Sequence, residues 1–212
     1  MFISQIRFIR RNSDLEHFFQ LEEQGGIRIL RLQSEDGTNR LTRRCVLALT
    51  QALGELRSEE RGLVITGNPK FFSAGAELSE IAGLDGPTGF EFAKMGQELM
   101  SAVVSFPAPV IAAVQGYCMG GGLDLALACR HRIASPHAIF GHRGAALGLI
   151  TGWGGTQRLP RLIGKSKALE MFLAAEKLTA SQALRIGLVD AISQDPVAEA
   201  VRSVSPGHML AE

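Results

Sequence analysis

The stretch that most limits how this chain can fold is Pro109–Cys129, Pro-Val-Ile-Ala-Ala-Val-Gln-Gly-Tyr-Cys-Met-Gly-Gly-Gly-Leu-Asp-Leu-Ala-Leu-Ala-Cys. The apolar run Val110–Val114 has the length of a buried strand and is too short for a membrane span. Gly116 breaks it, Gly120, Gly121 and Gly122 follow, and Leu123–Ala128 is rich in helix formers. The order is buried strand, loop, glycine turn, helix. Glycine lets backbone approach a ligand without a Cβ in the way. A helix that starts there directs unpaired N–H groups and the positive end of its dipole into the loop, which suits an oxygen gaining negative charge. A tight strand-to-helix connection packed on a neighbour reads equally well from this stretch alone.

The rest of the chain extends the pattern. Glu22–Gly26 carries a hairpin signal, and Ile27–Leu32 alternates apolar and charged residues like a half-exposed strand. Asp36-Gly37 is a turn, and Thr42 is the expected N-cap of a helix with an apolar stripe through Leu47, Leu49, Leu53 and Leu56. Gly62–Gly67 is a second short buried strand, followed by the small-residue segment Ser73-Ala74-Gly75-Ala76 beside a helix start. Here too N–H groups can face a ligand. Alternating strands and helices predict a parallel α/β arrangement, with both loops leaving the carboxyl edge where ligands bind in such sheets. Residues 130–135 and 137–140 read as a strand pair. Gly141–Gly155 is a long glycine-rich loop, and loops of that length inside a compact domain are usually functional. Helices are expected over 156–164, 166–174 and 179–187, then a short strand over 188–192. Residues 1–18 form an N-terminal arm, 19–192 the core and 193–212 a short tail. The arm, with Arg7, Arg10 and Arg11, reads as a mobile or interface arm, a targeting stretch or inert upstream sequence.

A net charge of +1 over 212 residues makes no electrostatic case for nucleic acid. Cys45, Cys118 and Cys129 sit in apolar stretches without a CxxC pattern, so no metal is expected and the thiols read as reduced, pointing to the cytoplasm. No apolar run reaches the length of a membrane span.

Phe71–Leu78, Val110–Asp124 and Gly148–Gly164 with its Gly-Gly-Thr-Gln-Arg-Leu core together resemble the crotonase (enoyl-CoA hydratase/isomerase) superfamily. Asn39–Thr42 and Ala183–Asp190 match as well, and the likeness runs from about residue 20 to 192. The resemblance implies an α/β fold, a spiral of ββα units, here lacking most of the usual C-terminal helices. It implies an acyl-CoA thioester as substrate, with coenzyme A part of that substrate and no separate cofactor. It also implies a homo-oligomer, trimer or hexamer. By position, the backbone N–H groups of Ala76 and Gly121 form an oxyanion hole, with Ser73, Ala74, Gly120, Gly144, His142 and Trp153 against the substrate.

The chain departs from the family pattern where acid–base chemistry is needed. The first of the two glutamates a family hydratase uses falls on Asp124, which withdraws the carboxylate by one C–C bond, ~1.5 Å. The second falls on Gly144, which has no side chain. The expected default is hydration or double-bond isomerisation through an enolate. Decarboxylation, thioester hydrolysis and a non-catalytic acyl-CoA or partner-binding role remain alternatives. Asp124 reads equally as a general base or as a carboxylate stabilising a helix N-terminus. His142 reads as a titrating group or a surface histidine, and Trp153 as pocket wall or core. Glu77 and Glu80 read as candidates for the missing acid–base group or as helix-start acids, Arg143 as a partner for a substrate carboxylate or CoA phosphate or a solvated cation, and Lys70 as a CoA phosphate contact or a solvated cation.

Overall fold

The computed structural model describes the backbone of β1 (Arg7–Phe8) and residues 17–204. The rest of the expected arm, and 205–212 of the expected tail, lie outside the described residues. In chain order the remaining elements are β2 (Phe19–Gln24), β3 (Ile27–Leu32), β4 (Arg40–Leu41), α1 (Arg43–Leu56), β5 (Leu63–Thr66), β6 (Phe71–Ser73) and β7 (Gly75–Ala76). Then come α2 (Leu78–Ala82), α3 (Gly86–Val104), β8 (Val110–Val114), β9 (Tyr117–Met119), α4 (Gly121–Ala128), β10 (His131–Ala134) and β11 (Ile139–Gly141). The chain continues with α5 (Gly155–Ile163), α6 (Lys165–Ala174), β12 (Leu178–Thr179), α7 (Ala180–Arg185), β13 (Ala191–Ile192) and α8 (Pro196–Val204).

The main sheet runs β1-β2-β3-β5-β8-β10-β13 and is parallel from β3 onward. A second sheet, β12-β11-β9-β6, collects the short strands that follow β5, β8 and β10. Each of those three main-sheet strands thus feeds a short strand and then a helix, which is the repeated ββα unit. Val110–Val114 is wholly buried because it is an inner strand of the sheet, between β5 and β10. Thr42 caps α1, its hydroxyl accepting from the Cys45 amide at 3.2 Å. The main core lies between one face of this sheet and helices α1, α3 and α4, with Leu30, Leu53, Ile65, Leu99, Ala112 and Leu123 all buried.

Four expectations require correction. β10 and β11 are not a strand pair: β10 joins β8 in the main sheet and β11 joins β9 in the second. β3 is buried on both faces rather than half-exposed. Its charged residues are neutralised in place, Arg31 donating from Nε to Glu22 at 2.7 Å and Arg28 pairing with Glu59. Residues 196–204 are not tail but α8, whose Val197, Ala200 and Val201 cover Ile29, Val64, Ile111 and Ile133 on the sheet's other face. Finally, α3 is absent from the sequence expectation although its signal is local. Asp85 and Thr88 form a reciprocal capping box, and Phe92, Leu99 and Val103 follow at helical spacing.

Candidate active site

β5 and β8 end at the same edge of the sheet, and the loops that leave them meet. The first loop is anchored at each step. Asn39 donates from Nδ2 to Phe71 O at 2.9 Å, Ser73 Oγ donates to Asn39 O at 2.7 Å, and Gly75 N donates to Ser73 Oγ at 3.1 Å. Ala74 N bonds Thr38 O, and β7 lies parallel to β4 with Ala76 opposite Leu41. In the second loop Gly120 N donates to Gly141 O at 2.9 Å. Gly75 (φ 98°) and Gly120 (φ 49°) hold backbone conformations that side chains disfavour.

The outcome is a close approach of two main-chain nitrogens. A Cβ on Gly121 would stand 3.3 Å from Ala76 N, and a Cβ on Gly75 would stand 3.2 Å from Gly121 N. Gly121 opens α4, so its N–H has no partner within the helix. Trp153 fixes this corner. Its indole fills the space that side chains at Gly96 and Gly121 would take, and its Nε1 donates to Phe92 O at 3.2 Å.

A cavity of about 800 Å³ opens at these amides, within the size range of small-molecule sites. Its walls are mostly apolar, including Leu78, Ile81, Phe92, Trp153 and Phe172. Ala74, Ala76, Gly120, Gly121, Asp124, His142, Gly144 and Trp153 all line it. Ser73, expected at the substrate, does not: it is fully buried and its hydroxyl is committed to the Asn39 carbonyl.

Asp124 is the one carboxylate among the lining residues. It is 1% exposed and accepts a hydrogen bond on Oδ2 from the Thr151 hydroxyl. Its Oδ1 lies 3.3 Å from Nε2 of His142, which is 4% exposed and not a surface histidine. Neither atom has a hydrogen-bond partner. The first residue of α5, Gly155, sits against both: a Cβ there would lie 2.2 Å from Oδ1 and 3.1 Å from Nε2. Position 144 is closed to a side chain by the loop itself, since a Cβ would meet Leu149 O at 2.6 Å.

The other candidates are structural or peripheral. Glu77 caps α2 by accepting from Ser79 N, and Glu80 accepts from Arg43 N at 2.8 Å. Arg143 is exposed at the cavity lip, and Lys70 stands over the Phe71 ring. Thr151 and Lys177 were not singled out from sequence; Thr151 sits in the glycine-rich loop, whose length was the available signal. Among the described residues no cluster of His, Cys, Asp or Glu is placed to hold a metal, and no helix is long and apolar enough to cross a membrane.

Residues 22–206 match the family model for enoyl-CoA hydratase/isomerase. A Bacillus subtilis (strain 168) protein described as a probable enoyl-CoA hydratase is 41% identical over 160 residues, 74% of this chain. The chain spans 62% of the length of that relative. The fold superposes on Pseudomonas aeruginosa DspI with a TM-score of 0.81 at 38% identity, covering 89% of this chain and 77% of that one. It superposes on the enoyl-CoA hydratase of Thermoplasma volcanium GSS1 with a TM-score of 0.87 at 29% identity, covering 94% and 81% respectively.

Proposed function

Because the chain belongs to the enoyl-CoA hydratase/isomerase family, we propose that its cavity takes an acyl-CoA thioester and that the amides of Ala76 and Gly121 hold the thioester oxygen. The observation that carries this reading is the approach of those two nitrogens at the end of an apolar cavity. Removing or adding charge beside a thioester drives negative charge onto its oxygen. Two fixed donors stabilise that enolate more than the neutral carbonyl, and each is worth roughly 3–4 kcal/mol in a site that excludes water. Hydration or double-bond isomerisation is the reaction class. Leu169 and Leu173, one turn apart on α6, are 57% and 70% exposed, which supports assembly into a homo-oligomer.

A second reading rests on Gly144. With no second carboxylate, decarboxylation remains open, since loss of CO₂ generates the enolate and asks mainly for the oxyanion hole. The test is calorimetric binding of crotonyl-CoA, followed by its conjugated-thioester absorbance and then a panel of malonyl-type thioesters. Binding with loss of absorbance supports hydration, and turnover of the malonyl-type panel alone supports decarboxylation. Absence of binding contradicts the thioester site.

A further inference from the structure

We infer that His142 is the residue that moves the proton in this cavity, with Asp124 as its positioning partner; the inference rests on the thioester reading above. Three side chains from three separate segments converge. Asp124 comes from the first turn of α4, His142 from the residue after β11, and Thr151 from the loop before α5. The Thr151 hydroxyl holds Asp124 Oδ2, Oδ1 faces His142 Nε2 at 3.3 Å, and the imidazole leans on the Phe172 ring at 5.2 Å.

Two observations make this more than packing. Buried polar atoms are nearly always hydrogen-bonded, yet Oδ1 and Nε2 are both buried and unpaired. A long contact of this kind is expected of a catalytic pair before substrate arrives, and it tightens when the ring takes up a proton. The juxtaposition also requires a glycine at 155, where any side chain would occupy the pair's space. An apolar pair of similar volume would serve stability as well or better. Asp124 from α4 faces the ring, and Arg158 from α5 lies near enough to Asp124 for its guanidinium to feel that charge. Arg143 and Lys177 line the same cavity, and α6 contributes the apolar Phe172.

With Nε2 turned to the carboxylate, Nδ1 is the nitrogen left to act. In hydration, Nδ1 takes a proton from water as the water oxygen bonds the β-carbon. The displaced π electrons become the enolate held by Ala76 and Gly121. The imidazolium then returns the proton to the α-carbon. One water is added across the double bond, and His142 ends as it began. His142 thereby supplies the group that position 144 lacks.

The test pairs crotonyl-CoA calorimetry with kinetics and with ¹⁵N spectra of the His142 ring in the full chain. We expect His142→Asn to bind crotonyl-CoA as wild type does and to lose about 10²–10⁴-fold in kcat, with KM little changed. We expect Asp124→Ala and Thr151→Val to lose about 10–100-fold. We expect a protected Nε2–H signal in the wild-type acyl-CoA complex, where the contact tightens, and its loss in Asp124→Ala. Retention of kcat in His142→Asn, or an Nε2–H signal indifferent to Asp124, overturns the assignment. Binding by wild type without turnover of any thioester overturns proton transfer and leaves the thioester site standing. Absence of binding overturns both.

Discussion

The backbone nitrogen of Ala76 lies 3.3 Å from the point where a Cβ on Gly121 would stand, so the two loops converge there only because position 121 has no side chain. The same Cβ would press to 2.5 Å on the Trp153 ring. In Gly121→Ala the ring or the helix start must move. We expect a loss of about 10²–10³-fold in kcat on crotonyl-CoA, read by its conjugated-thioester absorbance, with a much smaller loss in calorimetric affinity for the neutral thioester. We also expect a stability loss of about 1–3 kcal/mol, read by urea unfolding.

Trp153 is the chain's one tryptophan and is buried between Gly96 and Gly121. Trp153→Ala should cost about 3–5 kcal/mol in unfolding free energy. In the native protein its emission should be that of a buried indole and should change when an acyl-CoA fills the cavity, while free CoA leaves it nearer its starting value.

Restoring a glutamate by Gly144→Glu should not create a second catalytic carboxylate. Its Cβ would meet Leu149 O at 2.6 Å, a backbone atom that cannot rotate away. We expect a stability loss of about 1–3 kcal/mol and no gain in kcat. A gain in turnover with unchanged stability would show that the loop opens freely.

The cysteines set an alkaline limit to stability. Burial pushes the Cys45 and Cys129 thiols from 9.0 up to about 12, and Cys118 is raised well above its ordinary value by burial. Below pH 9.0 both folded and unfolded chains hold these protons, and the thiols leave stability unchanged with pH. Between 9.0 and about 12 the unfolded chain ionises first, so stability falls as pH rises. Urea unfolding across that window should show the decline, and Cys45→Ala with Cys129→Ala should lessen it to the part that Cys118 contributes. In the native state below pH 9.0 all three thiols should resist alkylation.

The parts of this fold legible in the sequence were those set by local backbone chemistry. The glycine turn at 120–122, the Thr42 cap and the segment through Ala76 all announce themselves within a few residues. What was hidden depends on distant partners. The charges on β3 imply a wet face until Glu22 and Glu59 arrive to neutralise them and α8 arrives to cover the sheet. Ser73 resembles a substrate contact until Asn39, on a separate segment, takes its hydroxyl. His142 is indistinguishable from a surface histidine until Asp124, Phe172 and Gly155 close around it. The departure at Gly144 was visible, but the imidazole that stands near it was visible only once the loop was folded.

The most direct measurement is a Raman difference spectrum of an acyl-CoA, ¹³C-labelled at the thioester carbonyl, bound to wild type and to Ala76→Pro. Proline removes the amide hydrogen at one of the two donors. Convergence of Ala76 and Gly121 on the carbonyl oxygen predicts a stretch at lower frequency in the wild-type complex than in water, largely reversed in Ala76→Pro while the ligand stays bound. An unshifted carbonyl in the wild-type complex would contradict it.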